Sequence, residues 1–159
     1  MKEEKKYSFL EAKNKIEAWC AYQDRSHSDV YKKLRDYGLD DKDTNALISH
    51  LIEYSFLNEQ RFADSFVSGK FRIKKWGRNK IIAHLNQKNV PKVIIDSAIK
   101  NIDEAEYKAT LSYLAKRKWE EKKGTPFEIK VKVQRYLASK GYEFELIYNA
   151  LDDLEAEHE

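Results

Sequence analysis

Few residues in this sequence can stop a helix. Proline occurs twice and glycine five times in 159 positions, and these are the types that interrupt helices most strongly. With Ala, Leu, Ile, Lys, Glu and Arg making up the long runs, helix is expected well above the usual third of residues. A single cysteine, Cys20, excludes an internal disulfide framework and suits a reducing, cytoplasmic setting. It stands between Trp19 and Ala21 in an apolar helical stretch, so it reads first as a buried structural thiol, with a reactive one as the alternative. No apolar run approaches the roughly 18 residues of a membrane span, and no membrane partner is expected. The charged start, Met1-Lys2-Glu3-Glu4-Lys5-Lys6, has no apolar stretch behind it and does not read as a signal peptide.

The chemistry of the common enzymes is also missing. His27, His50, His84 and His158 are scattered and the lone cysteine has no near partner, so no metal site is expected. Gly77-Arg78-Asn79-Lys80 has no second glycine at the spacing a phosphate-cradling loop needs. No Ser, Cys or Thr has a recognisable nucleophile setting. The carboxylate pairs Asp40/Asp41 and Asp152/Asp153 read as helix-terminal charge. A non-enzymatic protein without cofactors is the expectation.

What is present is a threefold repeat. Placing Leu34, Leu85 and Leu137 in register aligns Gly38, Asn89 and Gly141 four residues on, then Leu39, Val90 and Tyr142. Val30, Ile81 and Val133 align four residues before the anchor. Leu47, Ile48 and Leu51 align with Ala98, Ile99 and Ile102, and with Ala150, Leu151 and Leu154. The offsets are 51 and 52 residues, without gaps. The pattern describes a short helix ending at Gly, Asn or Gly, the types that tolerate the left-handed conformation closing a helix. A following helix starts at Asp40-Asp41, Pro91 or Glu143, where acids suit the dipole and Pro suits a first helical position. A longer amphipathic helix precedes each copy, near 8–24 (Leu10, Ala12, Ile16, Trp19, Cys20), near 59–75 (Phe62, Ala63, Phe66, Val67, Phe71) and near 104–123 (Tyr107, Leu111, Leu114, Trp119). The predicted fold is all-α: three tandem three-helix repeats, helix-turn-helix-like units, in an elongated curved array. The divisions are 1–57, 58–103 and 104–159, the third ending in an acidic tail. Leu34, Leu85, Leu137, Gly38, Asn89 and Gly141 are its structural positions.

Several motifs then resemble a known family. Arg61-Phe62-Ala63 follows Leu57-Asn58-Glu59; next come Arg72, Gly77, Arg78-Asn79-Lys80-Ile81 and Leu85-Asn86-Gln87-Lys88-Asn89-Val90. With Asp24-Arg25-Ser26 before them and Ser139-Lys140-Gly141-Tyr142 after, the chain resembles the bacterial regulatory protein RecX family from about Phe9 to Leu154. Asn89, where Gly is usual, departs from the pattern without changing the backbone it can adopt. The resemblance implies binding to the RecA–DNA filament and modulation, usually inhibition, of RecA ATPase, strand exchange and coprotease activity. That places the protein in regulation of DNA repair, recombination and the SOS response. It implies no enzymatic activity and no catalytic residues.

Charge points independently toward nucleic acid. The formal net charge is only +3, but from Ser65 to Ile95 there is no acidic residue in a chain that holds 27 of them. That stretch carries Lys70, Arg72, Lys74, Lys75, Arg78, Lys80, Lys88 and Lys92. A second basic segment runs from Lys116 to Arg135, and the C-terminus is acidic. Segregated positive charge suits phosphates, where counterion release supplies binding energy. The candidate contacts to DNA or the filament are Lys70, Arg72, Lys74, Lys75, Arg78, Lys80 and Lys88, with Lys116, Arg117, Lys130 and Lys132. The plainer reading is a solvated helical face. Trp76 is either packed at a helix corner or free to stack on a base. Arg61 is a surface residue or a partner of Asp64 or Glu59, and the acidic tail is a solvated end or a contact for the basic strip. Expected partners are the RecA filament and single- or double-stranded DNA, with the chain a monomer. The rivals are a helix-turn-helix DNA-binding protein acting without RecA and a scaffold that binds only protein.

Overall fold

Each short helix of the repeat ends in the same way. A computed structural model describes residues 6–158; most of the charged N-terminal run and the last residue of the acidic tail lie outside the described residues. Within them are nine helices and no strand: α1 Phe9–Tyr22, α2 His27–Asp36, α3 Asp41–Glu53, α4 Glu59–Arg72, α5 Arg78–Gln87, α6 Lys92–Ile99, α7 Glu104–Glu121, α8 Pro126–Ser139 and α9 Phe144–Glu157. Gly38, Asn89 and Gly141 follow α2, α5 and α8 with φ of 91°, 59° and 98°. The N–H groups of Leu39, Val90 and Tyr142 donate back to the carbonyls of Leu34, Leu85 and Leu137 at 3.4, 3.2 and 3.2 Å. Those of Gly38, Asn89 and Gly141 donate to Arg35, Asn86 and Ala138 at 2.9, 3.0 and 3.0 Å. This is the Schellman closure, made three times in register. The chain is three tandem three-helix repeats.

Helix starts are equally explicit. Ser8 and Glu11 form a capping box, and the side chains of Ser26, Asp40, Asp103 and Thr125 each accept an N–H of the first turn. Such caps stabilise a helix by about 1 kcal/mol each. Pro91 stands one residue earlier than expected: its carbonyl accepts the N–H groups of Ile94 and Ile95, both at 3.0 Å, so it closes the cap of α6. The long helices are shorter than their apolar stripes predict, α4 stopping at Arg72 and α7 at Glu121. Leu10, expected in the core, is 63% exposed on α1.

The described residues pack as two compact units, one formed by those up to Phe66 with Leu85–Asp96, the other by Val67–His84 with the residues from Ser97 onward. In the first, Ala12, Ile16, Cys20, Val30, Leu34, Leu39, Leu47, Leu51 and Leu57 make a continuous core, with Trp19 packed at its edge. Burial pushes the Cys20 thiol up to about 11, which leaves it protonated and unreactive. Glu59, itself buried, accepts the N–H of His27 at 2.9 Å and so serves the start of α2. In the second unit Tyr107, Leu111, Trp119, Val133, Leu137, Tyr142, Ile147 and Leu151 are buried. Tyr107 lies against Phe71 and Tyr142, with ring centroids 5.7 and 5.2 Å apart.

Candidate nucleic-acid interface

The turn between α4 and α5 gathers Lys70, Arg72, Lys74, Lys75 and Lys80 with no acidic residue among them. Helix α4 ends at Arg72, and the backbone then passes through Lys75 at φ 58°, a left-handed conformation unusual for a side chain of this kind. The turn is tied down on both sides. Trp76 N–H donates to the Lys70 carbonyl at 3.0 Å, Gly77 N–H to the Lys140 carbonyl at 2.7 Å and Asn79 N–H to the Gly141 carbonyl at 2.9 Å. The Tyr142 hydroxyl donates to the Lys75 carbonyl at 2.8 Å, and Lys140 Nζ to the Lys74 carbonyl at 3.1 Å. The start of α5 is thereby held by the corner that joins α8 to α9.

Trp76 sits half-buried at the centre of this arrangement. The ammonium groups of Lys70 and Lys80 lie 4.8 and 4.6 Å from its ring centroid, and His84 packs against it at 4.6 Å. Lys140 and Lys118 flank Tyr136, at 6.0 and 4.3 Å. Burial, then the neighbouring charges of Lys80, Lys74, Lys118 and Lys75, hold the Lys140 ammonium below its ordinary range. Among the described residues, no ion pair joins Lys74, Lys75, Lys80 or Lys140 to a carboxylate. Positive charge concentrated in this way is suited to a polyanion.

The other basic residues singled out in the sequence are placed differently. Arg78 is turned inward, its side chain 18% exposed, pairing with Glu143 at 2.7 Å and with Glu104, and lying 3.9 Å from the Tyr107 ring centroid. Burial pulls its guanidinium down, but the hydrogen bonds to Glu143 and Glu104 outweigh that and raise it. Its N–H donates to the Tyr107 hydroxyl at 2.9 Å, and that hydroxyl donates to Glu143. Glu143 therefore makes no side-chain cap on α9, although it occupies the capping position. Arg72 lies 3.8 Å from Glu106, and Lys130 pairs with Glu155 at 2.9 Å and Asp152 at 3.6 Å. Arg117 donates to the Tyr113 hydroxyl and Lys132 to the Lys123 carbonyl, while Lys116 is exposed. Lys88 belongs to the first unit, where it pairs with Asp29 at 3.0 Å. Arg61, also there, donates to Asp24 at 2.5 Å and to the Ser55 and Phe56 carbonyls.

Lys118 and Lys140 are members that the candidate contacts read from the sequence leave out, although Lys118 falls within the second basic segment. They lie 38 and 60 residues beyond Lys80 and outside the acid-free stretch. For Lys140 the signal is register: it precedes Gly141 as Lys88 precedes Asn89.

Architecture and charge together define a tandem three-helix repeat protein with a cationic turn in its second repeat, held against the α8–α9 corner of the third. Comparison with known proteins gives the family. The model of the second three-helix domain of RecX matches residues 58–99, and that of the third matches 105–151. The regulatory protein RecX of Yersinia enterocolitica is 33% identical over 114 residues, which cover 70% of this chain and 67% of that protein. That of Clostridium tetani is 32% identical over 133 residues, 82% of this chain and 61% of that protein. This chain thus spans about 61% of the length of that clostridial relative. RecX from Lactobacillus salivarius, solved as a crystal structure, superimposes with a TM-score of 0.80 at 19% identity, covering 93% of this chain and 97% of that one. A second crystal structure, of regulatory protein RecX, gives 0.79 at 22% identity over 91% and 71% of the two chains. The chain belongs to the RecX family.

Proposed function

We propose that this chain is a non-enzymatic regulator that binds the RecA–DNA filament and restrains RecA's ATPase, strand exchange and coprotease activity, and through them recombination, repair and the SOS response. Family membership supplies the regulatory role, and the curated relatives bear the name regulatory protein RecX. The observation that carries the DNA contact is the lysine cluster around Trp76. Lys70, Lys74, Lys75 and Lys80 are its core, with Arg72 at its edge. Arg78, Lys88 and Lys130, engaged by the chain's own carboxylates, contribute field rather than contacts. Three repeats, 1–57, 58–103 and 104–159, acting as a cytoplasmic monomer, complete the reading. Among the described residues no helix is long and apolar enough to cross a membrane.

The test is RecA's DNA-dependent ATPase and strand exchange, measured with and without near-stoichiometric protein. Slowing of both is expected, and no change in either would sink the reading. A DNA-binding protein independent of RecA would instead select particular duplex sequences in RecA's absence; a protein-only scaffold would retain no DNA at low salt.

A further inference from the structure

The cluster at the α4–α5 turn has features that a solvated face does not need. Lys75 holds a left-handed backbone that Gly or Asn would adopt more easily. Lys140 is kept, half-buried, beside four other ammonium groups that make its charge unfavourable. Like charges gathered this closely repel when nothing is bound, and an anion bound among them relieves the repulsion. The start of α5 is not the anion site, because its first N–H groups are already taken by Lys140, Tyr107 and Gly141. The side chains must do the binding. Trp76 has Lys70 and Lys80 over its ring with His84 against it, so its role differs from that of an open stacking platform. Ammonium groups resting on an indole give up in advance part of the side-chain freedom that binding would otherwise remove.

We propose that Lys118 and Lys140 of the third repeat complete, with Lys74, Lys75 and Lys80, one binding site for consecutive phosphates of a nucleic-acid strand, and that Trp76 positions Lys70 and Lys80 rather than stacking on a base. The proposal rests on the reading that this face meets DNA, and adds which residues do so and what they recognise. Acidic protein surfaces are the competing occupant.

The experiment measures affinity of the full chain for a labelled single-stranded oligonucleotide and for inorganic polyphosphate of matched charge, across a range of salt. Removing one lysine–phosphate pairing flattens the log–log salt slope on single-stranded DNA by about 0.7. Lys140→Met and Lys118→Met are each expected to flatten it by that amount, with thermal unfolding unchanged or nearly so. Lys140 also donates a hydrogen bond to the Lys74 carbonyl. Lys118→Met, whose side chain pairs with the exposed Glu121, is therefore the variant that guards against a folding artefact. Trp76→Leu is expected to weaken oligonucleotide and polyphosphate equally with the slope retained, and Trp76→Phe to recover part of that affinity. Wild-type slopes in both Met variants would overturn the composite site while leaving the RecA reading intact. A Trp76→Leu defect confined to the oligonucleotide would overturn the positioning role in favour of stacking. Failure of the wild-type chain to bind either probe at low salt would overturn both this proposal and the DNA contact beneath it.

Discussion

Gly77 and Gly141 meet backbone to backbone. A Cβ on Gly77 would lie 2.5 Å from the amide nitrogen of Tyr142 and closer still to the Gly141 carbonyl, and one on Gly141 would lie 2.6 Å from the Lys80 nitrogen. The absence of both side chains lets the N–H groups of Gly77 and Asn79 reach the α8–α9 corner. This approach is what brings Lys140 beside Lys74, Lys75 and Lys80.

Gly77→Ala should therefore loosen this corner. The new methyl meets backbone, which cannot swing aside as a side chain would, so a loss of about 1–3 kcal/mol is expected. Gly69→Ala is the matched control: it lies inside α4 and an added Cβ there meets nothing within 4 Å. It should stabilise by about 0.5–1 kcal/mol through helix propensity. Thermal unfolding of the two variants should shift in opposite directions, and a shared direction would refute the steric account of Gly77.

The turn conformation was more legible in the sequence than the site was. Gly38, Asn89 and Gly141 could be placed because a Schellman closure ties residue type to a fixed spacing from Leu34, Leu85 and Leu137, all local information. Asn89 behaves as a glycine substitute, at φ 59°. Arg78 could not be placed from spacing, since its partners Glu104 and Glu143 stand 26 and 65 residues away. Counting charges put it in the basic strip; the fold turns it inward. Lys140 illustrates the converse, since only the Gly77–Gly141 approach gives it its neighbours. Leu10 shows that an apolar residue can satisfy a helical period and still face water.

Tyr107→Phe isolates the buried link between α5 and α9. Its hydroxyl accepts the Arg78 N–H at 2.9 Å and donates to Glu143. Deleting the oxygen orphans an amide and loosens the carboxylate, so destabilisation of about 1–3 kcal/mol is expected by chemical denaturation. A change within a few tenths of a kcal/mol would mean that water replaces the hydroxyl.

Lys75→Gly separates strain from binding. Relief of the left-handed lysine, worth about 1–2 kcal/mol, is partly offset by glycine's greater unfolded freedom, about 0.5–1 kcal/mol. Stability should therefore hold or rise, while the single-stranded DNA salt slope flattens by about 0.7. An unchanged slope would contradict the assignment of Lys75 as a phosphate-binding residue, and a fall in stability would contradict the strain argument.

Alkaline pH should unfold the protein in a predictable window. Burial raises the Cys20 thiol from 9.0 to about 11. Burial and the Glu143 hydrogen bond raise Tyr107, and burial raises Tyr142, above their ordinary value of 10.0. Groups raised on folding contribute stability that is complete below their unfolded values and is lost as pH climbs toward the folded ones. Lys140, lowered from 10.5, works the other way, its penalty fading as it deprotonates. Raised groups outnumber it, so stability should begin to fall above pH 9.0. Cys20→Ala should make the decline between 9.0 and about 11 shallower; equal slopes in variant and wild type would exclude the thiol as a contributor.

The chain holds three tryptophans, and one falls in each repeat. Trp19 lies beneath Arg25 at 3.9 Å, Trp76 among two lysines and His84, and Trp119 is buried against His158 at 5.7 Å. Each indole thus has a cationic or imidazole neighbour of its own, Trp119 being buried and the other two half-buried. Leaving one in place and converting the other two to phenylalanine gives three optical probes, each reporting on a single repeat. Quenching by acrylamide or iodide would then show whether the repeats melt together or in sequence, and which of them a nucleic acid covers first.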